Sequence, residues 1–259
     1  MKAPTSPDGG NRSGAPQQSS RDDLLSTIND LKTELESLRK EHHELQHDYL
    51  HTVKRLVLLC EHRDAFIESH IARVSRYCAL IAERMGMKPE GIAEIELTAP
   101  MHDIGKIGVS EDILLKPGKL SDLEFSQMKL HTVIGGNILS KNGSSLLTRA
   151  REIALYHHEN WDGTGYPIGL KNSNIPIVSR IVHLMDEFDA LTSQRPHKMP
   201  YPMDYACDSI HQNKGKKFDP DLVDLLVENL AAIIKIKADI DSPGNLPSPD
   251  FRLSERDRN

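Results

Sequence analysis

Cysteine is scarce and scattered in this sequence. The 259 residues include three, Cys60, Cys78 and Cys207. An odd, widely spaced set without a CxxC pair excludes a disulfide framework and a thiolate zinc site, and it fits a reducing cytoplasm. Long apolar runs are also missing. The strongest, Leu56 to Cys60, falls far short of the roughly 18 residues of a membrane helix. The opening stretch MKAPTSPDGGNRSGAPQQSS has no apolar segment of the signal-peptide kind, so neither secretion nor a membrane location is expected. A surplus of positive charge is lacking as well. The net charge is −6 and the pI about 6.1, which argues against a binder of long nucleic acids, since counterion release needs a basic face. A small anionic ligand stays open, because a few basic side chains hold one locally. What the chain has in excess is histidine: 13, more than its five Phe and six Tyr together.

Both ends, residues 1–21 and 239–259, are rich in Pro, Gly, Ser and charge and read as disordered tails. From Leu24 the apolar residues step by four and three: Leu24, Ile28, Leu31, Leu35, Leu38, then Leu45 and Tyr49. With Ile28 and Leu35 at heptad position a, Leu31, Leu38 and Leu45 fall at d, so residues 22–60 predict an amphipathic coiled-coil helix that pairs two copies as a homodimer. Glu34 at g and Arg39 at e complement each other between chains. The alternative is a single helix lying on its own domain. His42, His43, His47 and His51 decorate this helix and are assigned no chemistry.

Residues 61–238 are helical in pattern almost throughout. Helices are expected over about 63–85, ending near Gly86, and over about 90–106. Another runs from the capping box of Ser121 and Glu124 towards Leu139. Further helices are expected over about 146–158, from Pro176 to about Leu191, and over 220–236 behind an Asp219 N-cap with Pro220 in the first turn. No long alternating or β-branched run argues for a sheet. The expected fold class is all-α, a helical bundle behind an N-terminal helix.

His102 and Asp103 are adjacent near the expected end of a helix. Neighbours there point about 100° apart, so they approach a metal cluster from its edge, the imidazole on one ion and the carboxylate bridging two. A bridging Asp suits divalent ions about 3.5 to 4 Å apart that share a hydroxide nucleophile. An HD dipeptide alone is weak evidence. His70 lies on the preceding helix, however, His131 on the following one, the pair His157 and His158 ends the next, and Asp186 sits on the one after that. Helical bundles assemble metal sites in this way, and mixed imidazole and carboxylate ligation suits iron, manganese or zinc rather than calcium. Directly after the histidine pair comes Glu159-Asn160-Trp161-Asp162-Gly163-Thr164-Gly165-Tyr166-Pro167. Its glycines, aromatic rings and proline suit a loop that shapes a substrate pocket.

Together these segments resemble the HD-GYP family, HD-superfamily phosphodiesterases of the bacterial messenger cyclic di-GMP. The resemblance covers about residues 63–226. It includes RDAFIESH (63–70), HDIGKIGV (102–109), ILLKPGKLS (113–121), HTVIGG (131–136), HHENWDGTGYP (157–167), SRIVHLMDEFDALTSQRPHK (179–198) and FDPDLVD (218–224). It implies the HD-superfamily helical bundle, with His70, His102, Asp103, His131, His157, His158 and Asp186 as metal ligands and Asp103 as the bridge. It further implies that Lys106 lies beside the scissile phosphate, and that Asp64, Tyr166, Asp189, Arg195 and Lys198 surround the dinucleotide. The implied cofactors are two divalent ions, iron or manganese first, with zinc, nickel or magnesium also within reach of the donor set. The expected reaction cleaves cyclic di-GMP to pGpG and then GMP, and the GYP loop is a docking place for signalling proteins.

Two positions depart from the family pattern. Some members carry a Glu four residues before the first histidine, which admits a third metal. Here that position is Phe66, and Glu68, two residues before His70, does not share its helical face. His197 replaces the aromatic hydroxyl common in the RPYK-like segment. Two other readings of the chain are a weakly active receptor or adaptor for cyclic di-GMP, and a phosphodiesterase for another cyclic dinucleotide such as cyclic GMP-AMP.

Overall fold

The computed structural model describes residue 1 and residues 15–60, 65–140, 144–194 and 199–242. It divides into two compact units after Leu50. The first contains most of helix α1 (Ala15–Cys60). Along it Leu24, Ile28, Leu31, Leu35, Leu38 and Leu45 are 45% to 68% exposed, so the apolar heptad stripe is uncovered. No helix among the described residues is long and apolar enough to cross a membrane.

The described residues of the second unit, residues 51–259, are largely helical and hold no strand beyond an isolated bridge between Lys214 and Phe218. Helix α2 (Ala65–Arg84) is placed by Ile71, Val74, Cys78 and Ile81, spaced three and four apart and all buried, as an amphipathic helix requires. It ends at Gly86, whose φ of +74° suits the glycine-favoured left-handed region. Helix α3 (Pro89–Thr98) follows. The continuous helix expected over 90–106 is broken after Thr98 into two 3-10 turns, Ala99–Met101 and Ile104–Gly108. Pro100 is the physical cause, because it has no N–H to donate and its ring displaces the preceding turn. The carbonyl of Glu96 accepts instead from the Ser75 hydroxyl at 2.6 Å. His102 and Asp103 therefore sit between two short turns, not on a regular helix.

Short α4 (Glu111–Leu114) leads to α5 (Asp122–Ile138), which opens on the full capping box of Ser121 and Glu124. Gly105 explains how the 3-10 segment packs on α5. A Cβ there would meet the His131 carbonyl oxygen at 1.9 Å and the Gly135 nitrogen at 2.4 Å, so only glycine permits the approach. After α6 (Ser145–Tyr156) comes α7 (Ile177–Thr192). It is buried nearly all round through Val178, Ile181, Leu184, Met185 and Phe188 and packs against α2 and α6. Phe188 meets Tyr77 of α2 edge to face at 5.9 Å; burying side chains of this size contributes about 2 kcal/mol each.

Helix α8 (Met203–Gln212) was not anticipated. The helix expected over 220–236 is split at Asn229 into α9 (Pro220–Glu228) and α10 (Leu230–Asp241). Asp219 caps α9 by accepting from the Asp221 N–H at 3.0 Å.

Candidate metal centre

Three imidazoles are fixed in one tautomer by their own backbone. His102 Nδ1 donates to the Ala99 carbonyl (2.9 Å), His131 Nδ1 to Met128 (2.7 Å) and His157 Nδ1 to Ile153 (2.9 Å). A carbonyl only accepts, so each Nδ1 carries the proton and each Nε2 presents a lone pair. Those lone pairs turn towards Asp103. His102 Nε2 is 3.2 Å from Oδ2, while His131 and His157 Nε2 are 3.3 Å and 3.7 Å from Oδ1. His131 Nε2 and His157 Nε2 lie 3.4 Å apart. Asp103 Oδ1 is itself buried and accepts no hydrogen bond among the described residues. Acceptors that converge without a proton between them need a cation to share, and these residues fit a divalent metal.

The ligand atoms of Asp103, His131, His157 and His158 lie within 4.8 Å of one another, and His70, His102 and Asp186 form a second such group. The seven residues named from sequence thus come together, drawn from α2, the turns around Asp103, α5, the end of α6 and α7. Electrostatics match the ligand state. Burial pushes His131 down to about 4 against the pull of Asp103. Burial together with His157 and His131 puts His158 well below its ordinary value. Both are neutral at pH 7, the form that binds metal. Burial opposes ionisation of Asp103, but the Lys106 ammonium, 2.6 Å from Oδ2, and the His102 ring hold it well below the usual carboxylate range.

His70 points Nε2 at Asp186 Oδ1 (3.6 Å) and Nδ1 at Asp189 Oδ2 (2.8 Å). Asp189 was expected beside the dinucleotide. It is instead 1% exposed, and its oxygens are occupied by His70, by the Arg73 guanidinium at 2.6 and 3.0 Å and by the Ser193 hydroxyl at 3.0 Å. This carboxylate orients a metal-site imidazole and has no free face for substrate.

The GYP loop folds back on the histidine pair. Gly165 is required by contact: a Cβ would meet the Asn160 nitrogen at 2.2 Å and the His158 carbonyl at 2.5 Å. Tyr166 follows in a cis peptide with Pro167 and stacks on His158 at 4.8 Å and 29°. Burial and nearby Asp103 raise its phenol above the ordinary value. Sequence reasoning missed what holds this loop. Glu159, 1% exposed, accepts from the consecutive amides of Ile168, Gly169 and Leu170 at 2.8 to 3.1 Å. His183, left without a role from sequence, is buried and donates from Nδ1 to the Glu159 carbonyl at 2.9 Å. Arg73 was missed too, although it lies one turn after His70, the spacing that places two side chains on one face. Asp64, Arg195, His197 and Lys198 lie outside the described residues, as does the Phe66 side chain.

Helices α2, α5 and α7, the end of α6 and the turns around Asp103 lend imidazole or carboxylate to one cluster, the way helical bundles hold metal. The model of the HD domain matches residues 32–222, and the chain belongs to that family. It is 45% identical over 195 residues to a cyclic di-GMP phosphodiesterase of Thermotoga maritima, covering 75% of this chain and 53% of that one. It is 41% identical over 185 residues to the cyclic di-GMP phosphodiesterase response regulator RpfG of Xanthomonas campestris, covering 71% and 49%. A 3'3'-cGAMP-specific phosphodiesterase of Vibrio cholerae is 37% identical, with 73% and 36% covered. The chain spans about half the length of the first two. Among solved structures, the HD-GYP protein Bd1817 of Bdellovibrio bacteriovorus superposes with a TM-score of 0.52 at 20% identity, covering 66% of this chain and 54% of that one. At that identity the likeness is one of fold.

Proposed function

We propose that this chain is a metal-dependent phosphodiesterase that cleaves cyclic di-GMP to pGpG and on to GMP, using two divalent ions, iron or manganese. The observation that carries the reading is the approach of His131 Nε2 and His157 Nε2 to 3.4 Å beside the hydrogen-bond-free Oδ1 of Asp103. That arrangement is costly to bury unless a cation is shared. The two groups of ligand atoms, Asp103 with His131, His157 and His158, and His70 with His102 and Asp186, would hold two ions, and Phe66, one turn ahead of His70, offers no ligand for a third.

When bound, divalent ions supply Lewis acidity and a nucleophile drawn from water near neutral pH. Lys106, 28% exposed beside Asp103, adds positive charge where charge develops on the phosphoryl group. Tyr166 walls the site, and Asp64, Arg195 and Lys198 complete the contacts that the family resemblance assigns. The activities named for the relatives support a cyclic dinucleotide as substrate.

In this reading residues 61–238 are the catalytic domain, and residues 22–60 pair two copies in the cytoplasm through the exposed leucines of α1. The GYP loop docks signalling partners. The test is anaerobic purification with metal analysis, followed by turnover of cyclic di-GMP and product identification. Asp103→Ala is expected to abolish both metal retention and cleavage; full turnover in that variant would end the reading.

A further inference from the structure

Helix α5 brings more than His131 to this site. Phe125 is 46% exposed, and Lys129 lies four residues on, the spacing that puts two side chains on one helical face. The Lys129 ammonium lies 4.9 Å from the Phe125 ring centroid and 5.7 Å from that of Tyr166. Phe125 and Tyr166 meet edge to face at 6.2 Å and 84°, while Tyr166 stacks on His158. An unbroken path of ring surface therefore leads from a metal-site histidine, through Tyr166, to an open phenyl ring carrying a cation. Packing does not account for it, since Phe125 is exposed. Among the described residues the Lys129 ammonium makes no ion pair and rests on these two rings.

We infer that Phe125 and Lys129, with Tyr166, form a guanine subsite. The inference rests on the phosphodiesterase reading for its substrate and adds how one base is chosen. An exposed aromatic ring stacks any base. The ammonium has donors only. Guanine presents two acceptors, O6 and N7, on one edge, whereas adenine replaces O6 with an amino donor. A purine stacking on Phe125 takes the ring face over which the ammonium rests and moves the flexible Lys129 side chain to its rim, where a donor favours guanine over adenine, so the site prefers cyclic di-GMP to cyclic di-AMP.

The experiment uses the full chain loaded with manganese. It compares hydrolysis of cyclic di-GMP and cyclic di-AMP, and equilibrium binding of their non-hydrolysable phosphorothioate analogues. Phe125→Ala is expected to raise KM and Kd for the guanine ligand about tenfold with kcat changed by less than about twofold, and Phe125→Trp to restore both. Lys129→Met is expected to reduce the guanine preference about tenfold, with Lys129→Arg retaining most of it. Unchanged thermal midpoints show that the variants fold. Unaltered KM, Kd and preference in Phe125→Ala and Lys129→Met would overturn the subsite. If the wild-type protein binds the analogue but cleaves nothing, the phosphodiesterase reading fails while the Kd ratios still decide the subsite. If it binds neither dinucleotide, the subsite is overturned.

Discussion

The Nδ1 of His70 and the Oδ2 of Asp189 meet at 2.8 Å across 119 residues of sequence, and the same carboxylate grips Arg73 with both oxygens. Arg73 reaches on to Asp241 at the end of α10 (2.7 Å), so a chain of charges that starts at the buried Asp189 and surfaces at Asp241 ties His70 to α10.

Asp189→Ala removes that anchor. Breaking a buried ion pair from one side costs about 3 kcal/mol, and a lost outer-sphere partner lowers metal affinity about 10- to 100-fold. Urea denaturation should show the first effect and metal analysis after dialysis the second, with Asp189→Asn intermediate in both. Unchanged metal content would assign Asp189 a purely structural role.

Glu159→Ala leaves the partly exposed amides of residues 168–170 without their acceptor, at about 1 kcal/mol for hydrogen bonds that water partly replaces. The expected outcome is faster hydrogen exchange across residues 160–175 and weakened substrate affinity, with the metal retained because His158 is intact. Exchange rates matching the wild type would remove Glu159 from its clamping role.

Gly105→Ala places a methyl group 1.9 Å from the His131 carbonyl. Backbone must move to admit it, so a loss of about 3 kcal/mol is expected, together with a displaced His131 and reduced metal content. A wild-type thermal midpoint would contradict the close packing of the two segments.

His131 titrates at about 4 in the folded chain against an ordinary imidazole value of 6.5. The unfolded chain therefore takes up the proton first. Stability that is fully present above pH 6.5 is lost as pH falls towards 4, by about 3 kcal/mol from this group alone. Denaturation of the metal-free protein at stepped pH measures the slope, and His131→Asn should flatten it. His158, lowered in the same direction, steepens it.

Leu31 and Leu38, at heptad d positions, are 59% and 55% exposed. Replacing both by Glu should convert a dimer to a monomer in sedimentation, while the second unit keeps its thermal midpoint. A monomeric wild-type chain would remove the coiled coil from the proposal.

Periodicity made α2, α5 and α6 legible, because each must bury one face at spacings of three and four, and α7, buried nearly all round, was legible from its apolar content after Pro176. The caps at Ser121 and Asp219 were equally legible, since their partners lie within a turn. The breaks at Thr98 and Asn229 were not read. The first was legible in Pro100, whose missing N–H and ring break a helix locally, and was overlooked; at the second, nothing in the residues around Asn229 stands out as a breaker. At the site, the residues able to bind metal announced themselves through rare side-chain types on consecutive helices. Asp189 was assigned to the dinucleotide by the family resemblance alone, and only the packed structure shows Arg73 and Ser193 occupying its oxygens.

The sequence by itself determined an all-helical chain, a heptad stripe on its first helix and seven imidazole and carboxylate side chains, because these depend on residue type and short-range spacing. The tertiary structure decided which nitrogen of each histidine bears the proton, that Asp103 stands where two groups of ligand atoms meet, and that Glu159 and Asp189 hold other residues in place. Those outcomes rest on hydrogen bonds whose geometry exists only once helices distant in sequence have packed.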